Sequence, residues 1–141
     1  MLTEAAVLAC ALNLLGRSET LAPVQFLSRP PVGVSRTAEA FRVRNPDTIY
    51  LITSTEAFRN AQRGEREIGH TAGCKRLASV VVHEEWHVTH GSDEQGAYLA
   101  QIGALTAMHA ESSVITSVRR AMVEVLKRQT AQKRPPLVAR N

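Results

Sequence analysis

The sequence predicts a small α+β domain in which short strands come first and long helices follow. Three short runs bounded by turn residues predict strands at Val24 to Leu27, Ala38 to Arg44 and Thr48 to Thr53. Apolar residues then recur at helical spacing from about Cys74 to Gln129. The 141 residues, 44% hydrophobic and 21% charged, suit one domain with a modest core. We expect this domain to span residues 1–130 and a basic, disordered tail to span residues 131–141.

Caps and breakers predict the elements of the first half. Thr3 can cap a helix whose apolar positions recur at helical spacing, and Gly16 would end it. The segment Asn45-Pro46-Asp47 favours a turn, because Asn and Asp side chains bond nearby backbone and Pro fixes φ, so the strands on either side should form a hairpin. Ser54 or Thr55 can cap a short helix through about Gln62.

The longest predicted loop is the charged stretch from Arg63 to Arg76, which contains three glycines. His70 lies in this loop, and we expect it to be exposed to solvent. The helix that follows, from about Cys74 to His90, has apolar residues around most of its circumference. That pattern is typical of a helix buried on nearly all sides.

Two further helices are predicted after Gly91, which would end the buried helix. Ser92 can cap the first of them, with Gln95 reaching back, and this helix would run to about Ala110. Its inward positions are expected to be Ala97, Leu99, Ile102, Leu105 and Met108. The last helix, from about Ser113 to Gln129, has a clear amphipathic stripe and would stop before two prolines.

Positive charge is concentrated at the C-terminal end. The net charge is +4, but the segment from Ser112 onward holds seven basic residues and one acid, so it carries +6 and the rest carries −2. No aromatic residues are interleaved with the basic ones. We therefore expect a solvated helix face, and nucleic acid is not the expected partner.

The cysteines and the hydropathy pattern predict a cytoplasmic protein without membrane contact. Cys10 and Cys74 form neither a Cys-x-x-Cys pair nor a disulfide framework, and we expect two small buried thiols, with a single bridge or a metal role as alternatives. No apolar run approaches the length of a bilayer span. The apolar start from Ala5 to Leu15 follows Glu4 rather than a basic leader.

The five residues from His83 to His87 have the pattern His-Glu-x-x-His. On a helix, His83 and His87 stand one turn apart on the same face, where both imidazoles can reach one Zn²⁺. Glu84 then projects beside the metal and can take a proton from a metal-bound water. Because this helix is predicted to be buried, its polar residues need partners, and a bound cation is the simplest partner that satisfies all of them: His83, Glu84, Glu85 and His87.

With this motif, the segment from Val80 to Gln101 resembles the zincin metallopeptidases, a broad family that includes thermolysin-like and metzincin enzymes. The order of sheet, motif helix and second helix is also similar. The resemblance implies a minimal zincin-like domain, with a small antiparallel or mixed sheet packed on the active-site helix and further helices at both ends. It also implies that His83 and His87 are zinc ligands and that Glu84 is the general base. Glu85 departs from the uncharged residues that the family usually has before its second histidine.

The third ligand is expected after the turn at Gly91. His90 lies nearly one turn beyond His87, too far along the helix axis to join a metal held between the two motif histidines. The family takes its third ligand from beyond such a turn or from the next helix, which favours Glu94, three residues after the glycine. Asp93 is an alternative ligand, or it caps the following helix. The remaining candidates are Glu111 and His109.

Tyr98 and Gln101 follow Glu94 at i+4 and i+7, on one face of the predicted second helix. If Glu94 faces the metal, Tyr98 is near it and could donate a hydrogen bond to an oxyanion or to the ligand carboxylate. The alternative for Tyr98 is packing, with its hydroxyl bonded to backbone.

Together these residues predict a zinc-dependent metallopeptidase that hydrolyses peptide bonds through a metal-bound water, with Glu84 as general base and Zn²⁺ held by His83, His87 and Glu94. Its partner would be a peptide or protein substrate, which the strand Thr48 to Thr53, as a sheet edge, could align by β-addition. The alternative is a non-catalytic, metal-stabilised interaction module that binds a protein or nucleic-acid partner through its basic C-terminal helix. The short chain leaves little material for the far wall of a peptidase cleft, and this favours the alternative.

Overall fold

The computed structural model describes residues 1–133, which form a mixed α+β fold. These residues contain five helices and one three-stranded sheet, so the predicted fold class is confirmed. In chain order the elements are α1 Glu4–Leu14, β1 Val24–Leu27, β2 Ala40–Val43, β3 Thr48–Ile52, α2 Glu56–Gln62, α3 His70–His90, α4 Glu94–Ala107 and α5 Ser112–Lys133. Helix α5 thus continues into the predicted tail as far as its third residue, and the rest of the tail lies outside the described residues.

Local caps set the ends of most helices. Thr3 and Thr55 cap α1 and α2 with their hydroxyl oxygens, as predicted. Gly91, with a φ of 72°, ends α3, also as predicted. The prediction that Ser92 caps α4 is wrong. Asp93 takes that role, because its carboxylate accepts a hydrogen bond from the backbone N–H of the third residue beyond it, at 3.0 Å.

Strand β3 lies at the centre of the sheet, whose order is β1-β3-β2. It pairs in parallel with β1 and antiparallel with β2, so the predicted hairpin forms. The prediction that Thr48 to Thr53 is a sheet edge is wrong, because the crossover from β1 places β3 between the other two strands. Ile49, Leu51 and Ile52 of β3 are all buried, which suits a strand with neighbours on both sides. Strand β2 is left with one unpaired edge.

Helix α3 is buried on nearly all sides, as predicted, and it contacts both parts of the main core. Its first half packs on α1 and α2, where Phe58 and Leu77 are fully buried. Farther along, Val80 and Val81 pack against the sheet at Leu51. Because α3 lies between these two clusters, its polar side chains depend on partners from neighbouring elements.

Helix α3 begins at His70, within the segment predicted to be a loop. Gly73 explains the difference, because a Cβ at this position would lie 2.6 Å from the carbonyl oxygen of Ala57. The glycine therefore permits α2 and α3 to approach closely, and it does not mark a loop. His70 is buried at this contact, so the prediction that it is exposed is wrong.

Helices α4 and α5 form a second small core, in which Leu105 and Val118 are buried together. Ala97 faces inward as predicted, but Leu99 is 52% exposed. Two residues correspond to a rotation of about 200° on a helix, so Leu99 lies opposite the buried Ala97 and Gln101.

Cys10 and Cys74 form a disulfide, so the prediction of two free thiols is wrong. The packing of α1 against the first turns of α3 brings their Cα atoms to 5.9 Å, within the range that a disulfide spans. The two cysteines are separated by 64 positions, and no local pattern in the sequence indicates that α1 packs there.

No helix within residues 1–133 has the length and apolar character needed to cross a bilayer. The cytoplasmic location stays a prediction. A disulfide is the less usual state of cysteine in that compartment.

Glu85 of α3 is neutralised by an arginine, so the prediction that a bound cation satisfies it is wrong. Arg17, just after α1, binds both carboxylate oxygens, at 2.5 and 2.9 Å. The backbone N–H of Leu21 donates a third hydrogen bond at 2.8 Å. This ion pair anchors the segment after α1 to the middle of α3.

Replacing Arg17 with Met should destabilise the protein, because it leaves the buried Glu85 carboxylate without its counter-ion. Arg17 is one-third exposed, so we expect a loss of about 2 kcal/mol, below the 3–5 kcal/mol of a fully buried pair. The double variant Arg17→Met/Glu85→Gln removes the charge but keeps an oxygen for Leu21, and it should recover most of the loss. Urea unfolding of the three proteins measures both effects. Equal stability of the wild type and Arg17→Met would contradict this account.

Candidate metal centre

His83 and His87 stand on one face of α3, and each has a partner that fixes its orientation. The Nδ1 atom of His83 lies 2.9 Å from Oε1 of Gln101, and Nδ1 of His87 lies 2.7 Å from the carbonyl oxygen of Gly91. Both partners are oxygen acceptors, so each Nδ1 carries the proton and donates it. In its neutral form each ring therefore has an unprotonated Nε2, as a metal ligand requires.

The orientation of the Gln101 amide follows from its other contact. Its Nε2 donates to the hydroxyl oxygen of Ser79 at 3.2 Å, and Ser79 donates in turn to the carbonyl oxygen of Arg76 at 2.6 Å. Because Ser79 uses its proton for that carbonyl, it must accept from the amide NH₂ of Gln101. The amide oxygen then faces His83, and this chain of hydrogen bonds fixes the histidine tautomer.

Glu94, the first residue of α4, is brought to the two histidines by the turn at Gly91. One carboxylate oxygen lies 2.6 Å from Nε2 of His87, and the other lies 3.8 Å from Nε2 of His83. Ligand atoms of these three residues all lie within 4.8 Å of one another. The structure thus groups the three residues predicted as metal ligands.

The other predicted candidates lie outside this group. Asp93 is exposed and caps α4. Glu111 and His109 are exposed in and beside the turn between α4 and α5, and neither belongs to a metal-binding group among residues 1–133. His90 stacks on Trp86, with ring centroids 3.7 Å apart.

Two imidazole nitrogens and one carboxylate are a suitable donor set for a divalent metal ion. Tetrahedral coordination with bonds of about 2.0–2.1 Å separates neighbouring ligand atoms by about 3.3 Å. The observed separations of 2.6 and 3.8 Å from Glu94 to the two histidines lie on either side of that value. Small shifts of the carboxylate would therefore complete the geometry, and three protein ligands leave a fourth position for water or substrate.

Charges within the site are complementary. Burial lowers the pKa of His83, whereas the hydrogen bond to the Glu94 carboxylate raises the pKa of His87. The same hydrogen bond lowers the pKa of Glu94. Glu94 and His87 thus share a proton as an ion pair, and a metal cation can replace that proton between the same two atoms.

Glu84 lies next to the histidines and is 8% exposed. Its carboxylate lines the cleft and takes part in no hydrogen bond within residues 1–133. Burial raises its pKa to about 7, against the opposing effects of His87 and Arg42. A carboxyl group with a pKa in this range can exchange protons at neutral pH, which suits a general base. A cation bound beside it would favour its ionised form.

These residues line a cleft of about 770 Å³. One wall is β2 together with the segment before it, from Ser35 onward, and the opposite wall is α5. The short chain was expected to leave little material for a far wall, and α5 forms this wall with the apolar residues Val118, Ala121 and Val125. The metal-binding group and Glu84 lie between the two walls.

Tyr98 also lines the cleft, with its ring nearly perpendicular to that of His83 at a centroid distance of 4.6 Å. Burial raises the pKa of its phenol, so the hydroxyl stays protonated at neutral pH and can act as a donor. Its position on the face of Glu94 agrees with the helical spacing in the sequence.

The groups that orient the two histidines could not be predicted from the sequence. Ser79 and the carbonyl of Gly91 have no signature in the sequence, because their roles depend on the packing of α4 against α3. One feature of the sequence could have indicated the orienting role of Gln101: it is a polar residue on the buried face of α4, seven positions after Glu94.

In comparisons with known proteins, the chain matches no family model, no curated protein and no solved structure. The assignment of the site therefore rests on its geometry and its chemistry.

Replacing Gln101 with Met should weaken metal binding without removing a ligand. The variant keeps side-chain volume but leaves Nδ1 of His83 without its acceptor, so the ring can rotate or change tautomer. We expect the affinity for Zn²⁺, measured by competition with a chromogenic chelator, to fall by about 10–100-fold. Gln95→Met, on the exposed face of the same helix, is the matched control and should bind as the wild type does. Equal affinities of Gln101→Met and Gln95→Met would contradict the orienting role.

Proposed function

We propose that the protein is a zinc-dependent metallopeptidase of the zincin type. The observation that carries the proposal is the position of Glu84, an unpaired buried carboxyl group beside His83, His87 and Glu94 in an open cleft. Zinc is the metal that best suits two neutral imidazoles and a carboxylate with a fourth position open. The pattern His-Glu-x-x-His supports the same assignment.

The chemistry divides between the metal and the protein. Zinc, when bound, lowers the pKa of a water ligand and polarises the carbonyl of the scissile bond. Glu84 accepts the proton of the attacking water and transfers it to the leaving amine. Tyr98, held protonated beside His83, is a donor available to the developing oxyanion.

The unpaired edge of β2, in place of β3, can align the substrate. The backbone N–H of Ile52 donates to the carbonyl of Glu39 at 3.0 Å, so these two residues form a hydrogen-bonded pair of the antiparallel ladder. Such pairs alternate along a strand, so Ala40 and Arg42 direct their N–H and C=O groups away from β3. Because Ala40 and Arg42 also line the cleft, an extended peptide can pair with them.

The cleft is also the reason to prefer an enzyme over an interaction module. A metal that only stabilises the fold is usually enclosed by four protein ligands. Here three candidate ligands lie in an open cleft with a carboxyl group of raised pKa among the lining residues. Among the basic residues of α5 up to Gln132, Arg128 alone lines this cleft, at the far wall.

Glu84→Gln should separate catalysis from metal binding, because glutamine keeps the shape of the side chain but cannot accept the proton. We expect cleavage of an unfolded polypeptide, such as fluorescein-labelled casein, to fall by about 10²–10⁴-fold. Zinc bound to the purified protein, measured by mass spectrometry of the metal, should stay at the wild-type level. His83→Ala should lose both zinc and cleavage.

Glu111→Gln, which alters an exposed acid outside the site, is the control for these measurements. Equal zinc contents in the wild type and His83→Ala would refute the metal site. Equal cleavage by the wild type and Glu84→Gln would refute the role of the base. Zinc binding by the wild type without cleavage of any polypeptide would support the interaction module.

Ala40→Pro should impair the alignment of substrate while leaving β2 in the sheet. Proline removes an N–H that points to the free edge, so the ladder with β3 is unaffected. The lost hydrogen bond is worth about 0.5–1.5 kcal/mol, so kcat/KM should fall by about threefold to tenfold. Ala40→Val retains the N–H and is the matched control. The substrate model is wrong if both variants cleave with the same kcat/KM and bind the same amount of zinc.

A further inference from the structure

A second cluster of reactive side chains lies at the opposite end of α3, where His70 faces the disulfide. The Nε2 atom of His70 lies 3.6 Å from Sγ of Cys10 and 3.7 Å from Sγ of Cys74. Its Nδ1 atom lies 2.8 Å from the carbonyl oxygen of Ala61 in α2. The imidazole is therefore fixed by backbone on one side and points at both sulfur atoms on the other.

The hydrogen bonds of His70 are incomplete while the disulfide is closed. The carbonyl of Ala61 can only accept, so Nδ1 donates, and in the neutral ring Nε2 is an acceptor. A disulfide has no proton to donate to it. A thiol at Cys10 or Cys74 would supply one, so opening the disulfide satisfies a buried nitrogen that the closed form leaves without a donor.

The two sulfur atoms differ in access. Cys74 is fully buried in the core between α1, α2 and α3. Cys10 is only partly buried, on α1 at the edge of the same cluster. Cys10 is therefore the sulfur nearer to solvent. We expect a small thiol to attack Cys10, so that the leaving sulfur is Cys74, beside His70.

We infer that Cys10, His70 and Cys74 form a thiol–disulfide exchange site for a small thiol of the glutathione class. The thiolate of the incoming molecule forms a bond with Sγ of Cys10, the Cys10–Cys74 bond breaks, and Cys74 leaves with the electron pair. A second thiol then attacks the mixed disulfide and frees Cys10. Two thiols are oxidised to one disulfide, the protein disulfide is reduced, and the two protons of those thiols end on Cys10 and Cys74.

His70 acts as the proton carrier in this exchange. In the closing direction Nε2 takes the proton from the Cys74 thiol, and the resulting thiolate attacks the mixed disulfide at Cys10 and expels the small thiol. In the opening direction the same nitrogen takes up the proton that the incoming thiol releases and passes it to the departing Cys74 sulfur. One residue thus accelerates both directions, as reversibility requires.

Exchange accounts for this cluster better than metal binding does. Structural zinc sites have four protein ligands, and the group formed by residues 1–133 offers only these three. After opening, α1 is still held by its buried residues Val7 and Ala11 and by the ion pair from Arg17 to Glu85. The fold around the cluster therefore does not depend on the disulfide alone.

The test is to incubate the oxidised, full-length protein with glutathione, to block free thiols with iodoacetamide at short times, and to locate the adducts by peptide mass mapping. We expect glutathione on Cys10 and the alkyl group on Cys74. Glutathione on Cys74 would overturn the proposal, and so would opening at the rate of global unfolding. This measurement needs only the wild-type protein.

The role of His70 is tested with His70→Asn, whose amide can still donate to Ala61 but presents no nitrogen to the sulfur atoms. Opening should be slower by about tenfold or more, while His109→Asn, at an exposed position with φ of 57°, should open as the wild type does. Equal rates in all three proteins would refute the proton-carrier role. A zinc equivalent that the reduced wild type binds and Cys10→Ser does not would instead assign the cluster to a metal and overturn the proposal.

Discussion

The fold is organised by a row of polar side chains on α3 that lie where solvent cannot satisfy them. Three of them have a hydrogen-bond partner, and each partner comes from a different part of the chain. Gln101 of α4 binds His83, the carbonyl of Gly91 binds His87, and Arg17 after α1 binds Glu85. Glu84 has no hydrogen-bond partner among the described residues, and it lines the open cleft. A carboxyl group whose pKa is raised by burial and which faces a cleft beside candidate metal ligands is a sign of function.

The turn at Gly91 joins α3 to α4, the two helices that carry the candidate metal ligands, and it sets their relative position. Its carbonyl accepts the Nδ1 proton of His87, and its positive φ reverses the chain so that Glu94 returns to the same histidine. A residue with a Cβ rarely adopts this conformation. The orientation of His87 and the position of Glu94 therefore both depend on the backbone conformation of Gly91. The cap formed by Asp93 stabilises helix α4, which begins at Glu94.

Features that depend on neighbouring residues could be predicted from the sequence, and features that depend on distant packing could not. The caps of α1 and α2, the hairpin, the end of α3 and the grouping of His83 with His87 all follow from local spacing. The Cys10–Cys74 bridge and the Arg17–Glu85 pair join residues 64 and 68 positions apart, and no periodicity encodes them. His70 was assigned to a loop because Gly73 resembles a breaker, whereas its real role is to let α2 approach α3.

Three histidines of α3 are oriented by the same kind of hydrogen bond. Their chemistry then depends on which groups lie beside the other ring nitrogen, Nε2. In His70, His83 and His87, Nδ1 donates a hydrogen bond to an oxygen acceptor, so Nε2 is the nitrogen that can bind a metal or accept a proton. At one end of the helix Nε2 meets a carboxylate, and together they suit a divalent cation. At the other end it meets two sulfur atoms, and the same lone pair can take the proton from a thiol. Cys74 and His83 are nine residues apart, about 13 Å along the helix axis, so each site can be altered without touching the other.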